Sequence, residues 1–145
     1  MSTQWAAQFL VAAELERRGY VVTFTMGHAT PVADLMVGHP GGNAPFWVDV
    51  KGLASRNSWW GNAKPARERL FYVGVLVAKS RDLDEFFVMT QANWNGLVRD
   101  YQDRHPSQKK VGGFAWRDAE RFKNRWDSYQ TGLCQIRTLP VNGAP

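Results

Sequence analysis

A three-layer α/β fold, with helices on both faces of a mixed central sheet of about five strands, is the architecture this sequence predicts. Three observations carry that prediction. An amphipathic helix opens the chain. Three strand-like runs follow before any second helix. A later run, LFYVGVLVA (70–78), is almost wholly apolar, as a strand buried on both faces should be.

The first helix spans about 3–18, with Ser2 or Thr3 to cap it and Gly19 to end it in a left-handed conformation. Trp5, Phe9, Ala12 and Ala13 make an apolar face that Leu10, Val11 and Leu15 widen, so the helix is expected to lie flat on the sheet. YVVTFT (20–25) is the first strand, ADLMV (33–37) the second and FWVDVK (46–51) the third; the turn-forming HPGGNAP makes the last two a hairpin. Residues 52–69 read as a polar, basic loop. After the apolar strand, EFFVMT (85–90) is the fifth strand. Thr90 caps a helix to about Arg104 whose inward stripe is Trp94, Leu97, Val98 and Tyr101. The spacing of Ala115, Ala119, Phe122, Trp126 and Tyr129 predicts a last helix over about 115–129. From about 138 the tail is expected to fray.

The 145 residues suit one domain over 1–145, with no linker, repeat or low-complexity tract. No run approaches the roughly 20 apolar residues that cross a bilayer, so no membrane partner is expected. The N-terminus lacks the basic flank of a secretory signal, and the lone Cys134 cannot form an internal disulfide; both point to a cytoplasmic protein. A net charge of +5 and a pI near 9.7 favour a polyanionic partner only mildly.

Chemistry concentrates on the second and third strands. In FWVDVK, Phe46, Val48 and Val50 point to one face, and Asp49 and Lys51 to the other. Asp34 lies on the neighbouring strand. A hairpin can bring these three side chains to one end of the sheet. Two close carboxylates repel, and a divalent cation with a preference for oxygen relieves the repulsion; Mg²⁺, or Mn²⁺ in its place, is the natural candidate. The backbone carbonyl of Val50 is a possible third ligand. A nearby lysine can orient water or neutralise charge developing on a phosphate. The competing reading of Asp49 and Lys51 is a surface ion pair worth about 0–1 kcal/mol.

The order of helix, Gly-Tyr strand, PVADLMV and VDVK resembles the PD-(D/E)XK, or restriction-endonuclease-like, nuclease superfamily, and the opening AAQFLVAAELERRGYVV is similar to its Holliday-junction-resolvase branch, over about residues 3–90. The resemblance implies a metal-dependent endonuclease acting on DNA, duplex, branched or single-stranded. Asp34 and Asp49 would hold the metal, with Lys51 as the catalytic lysine. Resolvase-like relatives commonly work as dimers, so a homodimer is possible. The family's helix glutamate maps by spacing onto Gln8, which could assist through its amide but adds no charge; Glu14 is expected at the surface beside Arg17 and Arg18. The substitution leaves room for an inactive module on the same fold that binds nucleic acid or protein.

The loop SRNSWWGNAKPARER leaves the DxK strand. Arg56, Lys64, Arg67 and Arg69 are candidate phosphate contacts. Trp59 and Trp60 are candidate base-stacking groups, with packing beneath the loop as the competing use. Arg117, Arg121 and Arg125 would form a basic stripe on the last helix, most simply a solvated face. A third function class, an assembly protein using exposed aromatics at an oligomer interface, remains open.

Overall fold

In chain order the computed structural model, which describes residues 2–26, 33–42, 44–108 and 111–129, runs α1 (Thr3–Arg17), β1 (Val21–Phe24), β2 (Leu35–Gly38), β3 (Phe46–Leu53), β4 (Trp59–Trp60), β5 (Leu70–Leu76), β6 (Glu85–Thr90), α2 (Gln91–Arg104), β7 (Gly113–Phe114) and a 3₁₀ stretch, Trp116–Phe122. Five strands form one sheet in the order β1-β2-β3-β5-β6; β3 and β5 are parallel, and the other neighbours antiparallel. The predicted mixed five-stranded α/β sheet is present, with the β2–β3 pairing as expected. Among the described residues no helix is long and apolar enough to cross a membrane.

Helix α1 ends where the glycine dictates. Gly19 has φ +87°, its N–H donates to the Glu16 carbonyl, and the Tyr20 N–H reaches back to Leu15, the paired bonds of a Schellman stop. The buried face differs from expectation. Ala7, Val11 and Leu15 are fully buried, whereas Trp5 and Phe9 are 41% and 59% exposed. The small Ala7 explains the rotation, because it lets α1 press onto β3 at Gly52. A Cβ on Gly52 would stand 2.8 Å from the Ala7 Cβ and 2.9 Å from the Thr3 carbonyl oxygen. Larger side chains could not occupy that line of contact, so Trp5 and Phe9 turn outward and stack on one another at 6.1 Å.

Both faces of β5 are covered. Phe71, Val73 and Val75 join the α1 side with Val48, Val50, Leu35 and Val37; Leu70 and Tyr72 join an aromatic cluster under α2 with Trp59, Trp94, Phe87 and Phe114. Burial of each of these large side chains contributes about 1.5–3 kcal/mol. Helix α2 starts at Thr90 with a reciprocal cap: the Thr90 hydroxyl accepts from the Asn93 N–H, and the Asn93 side chain accepts from the Thr90 N–H.

Two segments depart from the sequence reading. The loop 52–69 contains β4, which pairs with β7 in a two-stranded sheet. The predicted helix 115–129 is instead a 3₁₀ stretch that stops at Phe122, after which Lys123 bridges to Phe87 and the Asn124 N–H donates to the Phe86 carbonyl. The helical spacing of apolar residues is real but serves two faces: Ala119 and Phe122 pack in the aromatic cluster, and Trp126 and Tyr129 pack on the α1 side. A straight helix cannot reach both faces of a sheet, so the chain breaks and rounds the β6 edge, with Asn124 at φ +55°. Arg117, Arg121 and Arg125 therefore form no α-helical stripe, and Arg125 lies beyond the break beside Asp127 at 3.3 Å. The tail from 138 lies outside the described residues.

Candidate active site

The site forms where β2 stops following β3. Pairing runs from Val37–Phe46 to Leu35–Val48. At the next step the Asp34 N–H addresses the Val48 carbonyl, at 3.1 Å, so Asp34 and Leu35, the first residue of β2, both face Val48 in the manner of a β-bulge. The slip re-aims Asp34. Its Oδ2 accepts from the Val50 N–H at 2.7 Å, and its Oδ1 accepts from the Gln8 amide at 3.1 Å. Beyond Asp34, side chains replace the ladder along this edge of β3. Gln4 donates through Nε2 to the Val50 carbonyl at 2.7 Å and accepts from the Gly52 N–H through Oε1 at 3.1 Å.

On the α2-side face of β3, Lys51 Nζ lies 2.7 Å from Asp49 Oδ1. Asp49 is 6% exposed, while the Lys51 side chain keeps 31%. The two charges are not a solvated surface ion pair, because one partner is almost wholly removed from water. Burial holds the Asp34 carboxyl above the usual aspartate range; the Val50 N–H opposes that shift, the Asp49 charge adds to it, and Lys51 and Lys64 oppose it. Asp34 and Asp49 thus feel one another, with two lysines acting on the same spot. Burial, then the Asp49 charge, push the neighbouring Tyr72 phenol up to about 12, with the Gln91 side chain partly offsetting them. Tyr72 is the in-register neighbour of Asp49 on β5.

The structure therefore brings Gln8, Asp34, Asp49, Val50 and Lys51 together. Among the described residues no group of three or more His, Cys, Asp or Glu side chains could hold a metal. The donors present are two carboxylates and the Val50 carbonyl, all oxygen, and one carboxylate resists ionisation in its present surroundings. That set fits a largely hydrated Mg²⁺, which needs only one or two carboxylates from the protein.

The expected DNA-contacting residues divide. Trp59 is a correction: it is fully buried, stacked on Trp116 at 5.2 Å, and its ring lies against Gly74, where a Cβ would come within 2.6 Å of it. It cannot meet a base. Strand alternation sends Trp60 the other way, 61% exposed. Arg56 pairs with Glu85 at 2.8 Å, next to the β6 start. The Arg69 carbonyl accepts from the Trp47 N–H at 2.7 Å, and its guanidinium reaches the Pro45 carbonyl. Lys64 and Arg67 are exposed, and the Lys64 charge acts on Asp34. Glu14 pairs with Arg17 and Arg18, as expected.

Sequence reasoning missed Gln4, Gln91 and Asn95. A signal was present: each helix carries two amide side chains one turn apart, Gln4 and Gln8 on α1 and Gln91 and Asn95 on α2, within otherwise inward-facing stripes.

No family model and no curated protein matches the chain. Among solved structures it resembles a bacterial homing endonuclease, I-Ssp6803I, with a TM-score of 0.55 and 17% identity over 94% of this chain and 95% of that one. The likeness shows that the two share a fold, one found in a nuclease.

Proposed function

We propose that the protein is a Mg²⁺-dependent endonuclease that hydrolyses DNA phosphodiester bonds at the Asp34–Asp49–Lys51 cluster. The observation that carries this reading is the bulge at Asp34, which sets one carboxylate beside a second, buried carboxylate and a partly exposed lysine. The fold shared with a homing endonuclease supports it.

Asp34, Asp49 and the Val50 carbonyl would hold the ion, which when bound supplies Lewis acidity toward the phosphate and its attacking water. The remaining work falls to the chain. Lys51, fixed by Asp49, keeps ammonium donors free to orient a water and to meet charge developing on the phosphate oxygens. Gln8 fixes the Asp34 carboxylate from one side and the Val50 N–H fixes it from another, so it is set before substrate arrives.

The test is cleavage of duplex, branched and single-stranded DNA with Mg²⁺ or Mn²⁺ against a chelator control. The wild-type protein should cut at least one of them only with metal. Asp49→Asn and Lys51→Ala should each lower the rate by at least about 10²-fold. Absence of metal-dependent cutting on all three would sink the enzyme reading. A second reading, a non-catalytic nucleic-acid-binding module, is favoured by one observation: the helix side chain that meets Asp34 is the uncharged Gln8. It requires DNA binding without cleavage, unaffected by Asp49→Asn.

A further inference from the structure

Gln8, Asp49, Gln91 and Asn95 are the buried acid and amide side chains among the described residues. The first two belong to the candidate site. Burying an amide is costly unless it is hydrogen-bonded, so the other two should have partners of consequence. Asn95, 5% exposed, accepts from the Lys64 N–H at 3.1 Å and donates to the Lys64 carbonyl at 2.8 Å. Gln91, 4% exposed, accepts from the Arg67 N–H and donates to the Pro65 carbonyl at 3.1 Å. Four hydrogen bonds from two core residues thus fix the backbone of a four-residue surface segment, 64–67. The two basic side chains that this backbone carries are left exposed.

We propose that residues 64–67 are a pre-set clamp for the nucleic-acid backbone, with Lys64 on one phosphate and Arg67 on a neighbouring one, and that Asn95 and Gln91 are the positioning residues that hold it. The inference rests on the nuclease reading for the identity of the occupant. Its physical basis is preorganisation. A free loop must be ordered when it binds, and a segment whose backbone is already fixed avoids the backbone part of that cost. Tyr72, the in-register neighbour of Asp49 on β5, stacks at 4.8 Å on Trp94, the residue before Asn95 on α2, so the held segment lies on the same side of the sheet as Asp49.

The experiment is binding of a labelled mixed-sequence duplex, with chelator present so that no cleavage occurs, measured across a salt series. Lys64→Ala should weaken binding and make the log–log salt slope shallower by ~0.9, a roughly 3.5-fold smaller loss of affinity between about 50 and 200 mM salt. Lys64→Arg should restore the slope. Asn95→Ala should weaken binding in the wild-type background and add nothing in the Lys64→Ala background. Gln91→Ala should behave the same way with Arg67→Ala. A merely structural role gives equal losses in both backgrounds, and that result overturns the positioning claim; an unchanged slope for Lys64→Ala overturns the clamp. Should Asn95→Ala fail to fold, the slopes of the two surface variants decide. If the wild-type binds and the slopes shift but no DNA is cut with metal, the clamp stands and the nuclease reading falls. If cleavage occurs and the slopes do not shift, the reverse holds. If the wild-type binds no DNA at low salt, both fall.

Discussion

Helices α1 and α2 lie on opposite faces of one sheet, and each uses two amides one turn apart to hold groups that no strand holds. The difference lies in what they hold. On α1, Gln4 and Gln8 meet the free edge of β3 and the Asp34 carboxylate. On α2, Asn95 and Gln91 meet a surface segment. The contact on α1 requires helix and strand backbones to approach closely, which only Gly52 permits. On α2 the loop comes to the helix, and the close approach is to a side chain: a Cβ on Gly61 would stand 2.9 Å from the Trp94 ring. In both cases amide side chains serve backbone N–H and C=O groups that no ladder pairs. On α1 these contacts frame the carboxylates; on α2 they stiffen a basic segment.

The largest test of this contrast exchanges small residues on the two sides. Gly52→Ala drives a methyl group into the Thr3 carbonyl and the Ala7 methyl, so α1 must lift from β3 and draw Gln4 and Gln8 away. Thermal unfolding should show a loss of about 1–3 kcal/mol, and any nuclease activity should fall further than stability explains. A fully active Gly52→Ala protein would mean that the amide contacts of α1 are dispensable.

Removing single amides should separate the helices next. Gln4→Ala leaves the part-buried Val50 carbonyl and Gly52 N–H without their side-chain partners and should cost about 1–3 kcal/mol. Gln91→Ala frees loop groups that water can reach more easily, and the loss should be nearer about 1 kcal/mol. Denaturant midpoints compare the two directly. The comparison breaks if Gln91→Ala proves the more destabilising.

Acidity sharpens the α1 side. Burial, countered by the Val50 N–H and reinforced by Asp49, holds the Asp34 proton more tightly in the folded chain than in the unfolded one. The associated stability is fully present below the ordinary aspartate value of 3.8 and is lost as pH rises through the higher folded value. Asp34→Asn stays neutral and keeps an acceptor for the Val50 N–H. It should therefore be more stable than wild type at pH 7, lose that advantage on acidification, and be inactive throughout. Urea midpoints at pH 7 and below pH 3.8 check it; an Asn variant less stable at pH 7 would show that the lysines outweigh burial.

The smallest effect belongs to α2. A Cβ on Gly96 would meet nothing within 4 Å, so Gly96→Ala should stabilise the protein by about 0.5–1 kcal/mol through helix propensity, without changing DNA binding.

Much of the fold was legible in local patterns. Gly19 marked the end of α1 and Thr90 the start of α2, because each acts on backbone within a few residues. The apolar run 70–76 was legible because a strand buried on both faces leaves no polar period. Tyr129 and Ala119 misled for the same kind of reason: helical spacing is a local property, while the sheet face each residue meets is not. Trp59 and Trp60 show the limit most simply. Adjacent and identical, one lies against Gly74 and the other meets solvent, and that assignment depends on the pairing of β4 with a partner more than fifty residues away.

By itself the sequence determined the carboxylates and the lysine available for chemistry, since DxK alternation on a strand sets Asp49 and Lys51 on one face whatever surrounds them. It also marked Asp34 and Gln8 as candidates. Only the tertiary structure decided that Asp34 slips by one residue against Val48, that Gln8 meets it, and that Gln4 holds the strand edge beyond it. Those contacts join segments 16 to 48 residues apart. A side chain's local pattern fixes the direction it faces, but its partner is set by which backbone groups the folded sheet leaves unpaired.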